Sequence, residues 1–584
     1  MIKKKHLTQY FRYMIFGGIG VILNLLITFT LTEFVLGRPN YWYAFLIGTI
    51  FNVIFNFIFY SRFVFAFKNI SKEKKYLFFL FSGLILSLQL IITREIVPWF
   101  NLDYYLLTIM LVIFSLGIGS FFFSRTFVFS EKEITFNHCL YLLLTVFSII
   151  IIYLIIENKI MFWDTGVYIG MAKYYFSNGS LGIMEVFRPP VLPFVLGLFW
   201  WLGLSPNIIG HVLVLLSAIG SLYFLYQIGN YYVDKEHSLI LVLLLAVTSS
   251  FIFFSVQILN DILGVFLVIY ASYLLIYKKN NYWLGIVCGL TGLTRFTLLL
   301  VPVAIGFSLL FLKKGWKNRL TKSLIFILGL ATVIIPFLIY NYVTFGNCLL
   351  PFLEGSAIIT SIGNSISEGF LFYPLGLILE SVFVLVGVVG IFYCKKKKQD
   401  LPIMILLVLF LVYHFVLARK EIRYMLPLFW IFYLFAVRFF HRFRLKNKIK
   451  KGFLCLLLMV MLLQGLYGLT ANYQHNYFDI SQDIKENFYR AEVSGPIITT
   501  SPNIMQYLDE KTVLIVWTSD HIYEAHKKHS PQSYLINTCD LWCPANDQEC
   551  FSYKDKLINE VNVDYELKYQ AKHNQCDYYV FEMD

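Results

Sequence analysis

Trp163-Asp164-Thr165-Gly166-Val167-Tyr168, followed by Glu185-Val186-Phe187-Arg188-Pro189-Pro190, places two acids, a base and several aromatics between long apolar runs. The flanking residues suit lipid and this segment does not: a carboxylate beside hydrocarbon is costly and is kept where it has a task. The fold therefore turns on which side of a membrane the segment faces. The chain has 584 residues, of which 58% are hydrophobic and 14% charged, whereas soluble domains carry roughly a quarter charged residues. Apolar runs of about 18 residues or more then read as membrane-spanning helices.

The formal net charge of +13 is not spread evenly. Basic residues cluster in short segments at Lys3 to Lys5, Lys72 to Lys75, Lys313 to Arg319, Lys395 to Lys398 and Arg442 to Lys451. This is the distribution expected of cytoplasmic loops, so the N-terminus is expected in the cytoplasm and the chain in the cell membrane as a multi-pass protein. Nucleic acid is excluded as a partner, because the basic residues do not form an aromatic-interleaved soluble face.

Taken in order, residues 1–130 hold four apolar segments, at about 12–35, 42–61, 77–97 and 105–124. The second and fourth end on similar phrases, Phe59-Tyr60-Ser61-Arg62-Phe63-Val64-Phe65 and Phe122-Phe123-Ser124-Arg125-Thr126-Phe127-Val128-Phe129, an internal repeat of two hairpins in one orientation. Residues 135–471 form a second membrane domain, whose first span runs outward and leaves Asp164 outside the cell. The apolar run after Arg188 is only about 16 residues long, opens on Pro189-Pro190 and ends in Trp200-Trp201, which reads as a helix along the surface. With that helix excluded, the expected total is about fifteen spans.

From about residue 472 the composition turns polar. Pro496 to Thr500, Val513 to Trp517, Ser533 to Ile536 and Asp577 to Phe581 read as short strands, with a helix from Asn503 to Asp509. The expected fold class is thus a polytopic α-helical membrane protein with a small extracytoplasmic α/β domain over 472–584. Cys539, Cys543, Cys550 and Cys576 fall in this domain and suggest two disulfides, since paired CxxC motifs for zinc are absent.

The expected outer face collects acids and arginines. Asp164, Tyr168, Glu185 and Arg188 lie in the first loop of the second domain; Asp261 follows Asn260 at a span end; Arg295 tops a short hairpin; Arg423 and Tyr424 top a later span. A lipid-linked phosphate head group would lie at this level. Glycosyl transfer from such a donor needs a carboxylate base for the acceptor hydroxyl and cations for the departing phosphate. Asp164 and Asp261 are the catalytic candidates, with Tyr168, Glu185, Arg188, Arg295, Arg423 and Tyr424 as substrate-binding candidates. Each also has a plainer reading: the aspartates as helix N-caps, the arginines as interfacial anchors. His211 and His414 are single histidines in apolar surroundings and read as structural.

Two resemblances bear on these residues. Arg12-Tyr13 leading into Phe16-Gly17-Gly18-Ile19-Gly20, with Asn24, Asn56 and the two Ser-Arg…Phe-Val-Phe endings, resembles the GtrA-like family of small four-span proteins, associated with handling polyprenyl-phosphate-linked sugars. Asp164 to Tyr168, Arg188 to Pro193, Asp261, Gly289 to Arg295, Tyr340 to Asn347 and Arg423 to Pro427, in that order, resemble the GT-C glycosyltransferases of the protein O-mannosyltransferase and lipid A aminoarabinose transferase type. That resemblance implies an inverting transferase, with its first-loop acid on Asp164 and its second-loop acid on Asp261. Some relatives place an acid directly before the basic-Pro pair, where this chain has Phe187.

The expectation is a membrane glycosyltransferase. It would move a sugar from a polyprenyl-phosphate donor to an extracytoplasmic acceptor (protein, glycolipid or cell-wall glycan), with the N-terminal domain presenting or flipping the donor. A lipid-linked sugar flippase without transferase chemistry is the alternative. No cofactor is called for; a divalent metal is compatible with the chemistry, with no ligand set assigned.

Overall fold

In the computed structural model the described residues are 4–38, 41–65, 70–100, parts of 109–129, 134–157, 162–312, 316–365, 369–394, 400–417, 420–443, parts of 456–465, 497–506, 512–514, 531–538, parts of 552–573, and 576–583. The chain is mostly helical and separates into two compact units, Met1–Ile150 and Ile151–Asp584. Among the described residues, six helices are long and apolar enough to cross a membrane, or eight if two bent pairs each count as one span. Several of the apolar runs read as spans are shorter or bent. The chain is a multi-pass membrane protein.

In the first unit, helices Lys4–Leu31 and Tyr41–Phe59 pack together through small and amide residues. The Asn24 amide donates to Thr49 Oγ1 at 3.0 Å and its carbonyl accepts from Thr28. Gly48 has no side chain because Asn24 fills that space. The two repeated phrases take the same local form, five-residue π-helical endings at Tyr60–Val64 and Ser124–Val128. Each closes on its following phenylalanine, Phe65 N–H to the Tyr60 carbonyl and Phe129 N–H to the Ser124 carbonyl. Phe65 and Phe129 then stack on each other at 4.4 Å, so the repeat is a paired structure.

The second unit breaks its helices. Lys235–Ala246 and Ser249–Val256 meet at 62°, and Phe372–Glu380 and Phe383–Tyr393 at 107°. A break frees backbone groups that lipid cannot satisfy, and here each break supplies partners for the other's polar atoms. Glu380 accepts from the Ser250 N–H and the Ser249 hydroxyl, both at 2.5 Å; Tyr433 bonds Thr248; and Gln464 accepts from the Val382 N–H at 2.9 Å. Elsewhere in this unit, Arg438 grips Asp400 in a fully buried two-pronged ion pair.

Among the described residues a sheet of five strands follows: β1 Ile497–Thr499, β2 Thr512–Leu514, β3 Ser533–Asn537, β4 Glu566–His573 and β5 Cys576–Glu582, in the order β2-β1-β3-β5-β4. β1 pairs in parallel with β2 and β3, while β5 runs antiparallel to β3 and β4. The stretch after Asn503 is a 3-10 turn, Pro502–Gln506, and β4 was not expected, although Leu567, Tyr569 and Ala571 alternate as a strand does. Cys539, Cys543 and Cys550, and the Cys576 side chain, lie outside the described residues.

The sheet packs on the helix Trp163–Phe176. Ile183, from the loop after that helix, sits in one apolar core with Ile497, Met505, Leu535 and Val580. The Trp163 indole donates to the Thr500 carbonyl at 3.4 Å and Lys173 to the Met505 carbonyl at 2.7 Å. Thr165 through Lys173 are consequently all buried, on every side of the helix. Such a helix cannot be amphipathic. Gly166 permits the contact, since a Cβ there would overlap the Pro502 carbonyl and lie 2.6 Å from the Asn503 nitrogen. Rigid backbone cannot yield as a side chain would, so Gly166→Val is expected to destabilise this unit by about 1–3 kcal/mol. It should lower the thermal midpoint of the purified protein and expose the segment after residue 497 to protease, while Gly18→Ala, whose Cβ meets open space, leaves both unchanged.

Candidate active site

Asp164 lies in the first turn of the helix Trp163–Phe176, whose N-cap is Phe162, so its carboxylate is not spent on capping. Instead it faces two guanidinium groups. Arg188 Nη1 stands 2.8 Å from Oδ1, and Arg423 Nη1 stands 3.2 Å from Oδ2. Arg188 comes from the turn before Pro189, and Arg423 from the 3-10 turn Ile422–Leu428. Partial burial alone would raise the proton affinity of Asp164. The charges and hydrogen bonds of Arg188 and Arg423 outweigh it and hold the carboxyl well below the usual carboxylate range.

Arg188 also reaches Glu185, its Nε 2.6 Å from Oε2. Its guanidinium lies over the rings of Trp163, Phe187 and Tyr168 at 5.1 to 5.9 Å, within the range of cation–π attraction. Glu185 is buried, and among the described residues its second oxygen, Oε1, has no hydrogen-bond partner. Burial pushes this carboxyl up, Arg188 only partly offsetting it. Burial likewise pushes the Tyr168 hydroxyl up to about 12, keeping it a neutral donor.

The second acid is arranged similarly. Asp261 lies in the first turn of Asn260–Ile276, again without a capping bond, and pairs with Arg295 at the end of helix Asn281–Thr294. Tyr424 links the two halves: its ring lies 5.2 Å from the Arg295 guanidinium and 5.7 Å from that of Arg423. A continuous path therefore runs Asp261, Arg295, Tyr424, Arg423, Asp164, Arg188, Glu185, with Tyr168 against Arg188. The structure brings together all eight residues singled out in the sequence. The arginines are mostly buried and paired, at 14 to 18% side-chain exposure, which is more than interfacial anchoring requires.

Further residues belong to this cluster. Glu421 pairs with Arg423, the local pairing that its spacing two residues earlier allows, and accepts from the Tyr424 hydroxyl at 3.3 Å. Asn260 is buried beside Asp261 with both ends of its amide unbonded among the described residues. His414, read as structural, is buried with its Nδ1 on the Phe410 carbonyl, and its ring lies 6.0 Å from Tyr424. Among the described residues, a grouping with metal-ligand proximity comprises Asp234, His237 and His441, none of them in this cluster. Asp164, Glu185, Asp261 and Glu421 each face a guanidinium.

A family model for the Alg9-like mannosyltransferase family matches residues 205–518, more than half of the chain. The chain belongs to that family. A second model, for the GtrA/DPMS transmembrane domain, matches residues 12–129. A search of curated proteins gives no match. Among solved structures, ArnT from Cupriavidus metallidurans bound to undecaprenyl phosphate is similar at 11% identity with a TM-score of 0.56, over 75% of this chain and 97% of that one. The archaeal oligosaccharyltransferase AglB from Archaeoglobus fulgidus, in complex with an inhibitory peptide and a dolichol-phosphate, aligns at 12% identity and a TM-score of 0.47, over 76% of this chain and 74% of that one. This member of the family is therefore a membrane glycosyltransferase of the GT-C class with an N-terminal GtrA/DPMS domain.

Because Asp164 is held below the usual range, its stabilising pairing is present in full above the unfolded value, near 4, and fades as pH falls through the lower folded value. Wild type and Asp164→Asn should accordingly differ in thermal midpoint by the same amount at pH 7 and pH 5, and converge below about pH 4. Scanning fluorimetry in detergent reads this; a gap that closes between pH 7 and pH 5 would assign the dependence to another group.

Proposed function

We propose that this enzyme transfers a sugar from a polyprenyl-phosphate donor to an acceptor on the extracytoplasmic side, with inversion, and that Asp164 is the base. The observation that carries this reading is the placement of Asp164 between Arg188 and Arg423. Each guanidinium has five N–H donors in a fixed fork, and the carboxylate contacts use only part of that set. The rest suits the phosphate oxygens of a lipid-linked sugar. The ArnT structure named above holds undecaprenyl phosphate, which is the chemistry proposed for the donor here.

The acceptor hydroxyl attacks the anomeric carbon, the bond from that carbon to the phosphate oxygen breaks, and the lipid phosphate leaves with the electron pair. The hydroxyl proton passes to Asp164. In the resting site two guanidiniums make Asp164 a weak base. Donor phosphate draws part of their charge away, so the proton affinity of Asp164 rises when donor is bound. Arg188 and Arg423 then stabilise the departing phosphate dianion. Asp261, fixed by Arg295, stands one tyrosine away and orients the acceptor or the sugar. Glu185, whose carboxyl is pushed up by burial, holds Arg188 in position. The N-terminal unit presents the donor, and the C-terminal sheet stands on the extracytoplasmic side.

Purified protein supplied with a panel of labelled polyprenyl-phosphate hexoses tests this. Asp164→Asn should lower turnover by about 10²- to 10⁴-fold with donor still bound, whereas Arg423→Ala should weaken donor binding by about 10- to 100-fold. Undiminished transfer by Asp164→Asn would remove this residue from the mechanism. Donor movement across a vesicle without any turnover would favour the flippase.

A further inference from the structure

Asp234, His237 and His441 meet at the end of helix Phe429–Arg442 that is farther from the Arg423 turn. The fourteen residues of that helix rise about 21 Å, so this cluster is remote from Asp164. One ligand-capable atom from each of the three lies within 4.8 Å of the other two. Asp234 is the N-cap of helix Lys235–Ala246. Its Oδ1 accepts from the His237 N–H at 2.9 Å and faces the His237 Nδ1 at 2.7 Å. Its Oδ2 faces His441 Nδ1 at 3.6 Å, beyond hydrogen-bond range. The two imidazole rings stand edge to face with centroids 4.8 Å apart. The Asp234 side chain is 50% exposed and that of His441 39%, so solutes can reach the cluster.

We propose that Asp234, His237 and His441 form a zinc site that clamps these two helices together. Two imidazoles and a carboxylate suit a first-row divalent ion, and zinc takes three such ligands with water in the fourth position. Zinc bonds of about 2.0–2.2 Å place neighbouring ligands of a tetrahedron roughly 3.3–3.6 Å apart, which matches the gap between Asp234 and His441. Magnesium, which prefers oxygen donors, is poorly served. An N-cap alone accounts for His237, three residues on, but not for a second imidazole brought in from another helix. The backbone on both sides is already fixed. Ser238 Oγ donates to the Asp234 carbonyl at 2.8 Å, and Arg438, one turn before His441, is held by buried Asp400 and lies over the Tyr232 ring. Ligands on rigid elements lose little freedom when an ion binds. The clamp joins the helix that follows Arg423 to the bent pair that leads to Asp261. It supports the frame of the transfer site and takes no part in transfer.

Full-length protein in detergent, stripped with a chelator and titrated calorimetrically with zinc chloride, tests this. The site should take one equivalent of zinc with a dissociation constant below about 10 μM. Zinc should also raise the thermal midpoint by mass action, and magnesium should not. Asp234→Asn keeps a good helix cap, and His441→Ala removes a partly exposed ring. Each should leave the zinc-free midpoint near that of wild type and weaken binding of this equivalent by about 100-fold or more, beyond the cost of an outer-shell change. Zinc binding to wild type weaker than about 10 μM is ordinary surface-imidazole affinity and overturns the proposal. Retention by either variant of all the zinc that wild type binds places the ion elsewhere on the chain and also overturns it. Binding with no rise in midpoint overturns the clamp.

Discussion

The ion pairs of Asp164 with Arg188 and Arg423 constrain everything else in the second unit. Charges taken out of water cost several kcal/mol each and recover that only if held in good geometry with their remaining hydrogen-bonding atoms occupied. Asp164 and Arg423 are 259 positions apart in sequence, so that geometry exists only after the first loop and a late 3-10 turn have met. Four carboxylates share three guanidiniums in this cluster, and the chain links them through aromatic faces more than through further charges. Tyr424 is the hinge point of that arrangement. It lies against two arginines and donates to Glu421, so the position of one half of the site depends on the other.

The C-terminal sheet is part of this constraint. Trp163, Gly166 and Lys173 all contact Thr500 to Met505, and the loop carbonyl of Gly182 accepts from the Thr512 N–H at 3.0 Å. These contacts cover the helix that carries Asp164 on the side its neighbouring helices leave open. The sheet core takes Ile183 as one of its own members, and so cannot be complete without the loop. Removing the sheet would thus expose a helix that has no polar face.

How much of this was legible follows from which signals are local. The charged and aromatic residues of the site were readable because each is out of place in an apolar context, and an ionisable residue there is a functional candidate by default. Their pairings were not readable: nothing in the local sequence says that Asp164 declines its capping role for Arg423. The π-helical endings were legible only as a repeated phrase, since Ser-Arg-Phe-Val-Phe does not announce its hydrogen-bond pattern, and the stacking of Phe65 on Phe129 is a tertiary fact. Strand β4 was missed because Lys568, Gln570 and Lys572 made its alternation look like solvated loop. The short run after Arg188 forms a helix of eleven residues, Val191–Trp201, which rises only about 16 Å against a hydrocarbon thickness of about 30 Å; its shortness was legible from the flanking prolines and tryptophans.

The bent helices show why apolar runs counted by length miss both the architecture and the site. Residues 238–256 form one apolar run of span length, yet the chain turns by 62° between Ala246 and Ser249. That turn is affordable because Glu380 and Tyr433 bond the hydroxyl and amide groups it frees. Those partners sit at the 107° break of the other bent pair or on the helix Phe429–Arg442, immediately after the turn that holds Arg423. The short helix Ser249–Val256 then leads into Asn260 and Asp261. One set of polar contacts therefore fixes the directions of two segments that deliver charged side chains to the site. Where a membrane helix must break, it needs polar neighbours, and where polar neighbours are already satisfied, a charged site can be built beside them. The breaks and the site are two results of the same requirement.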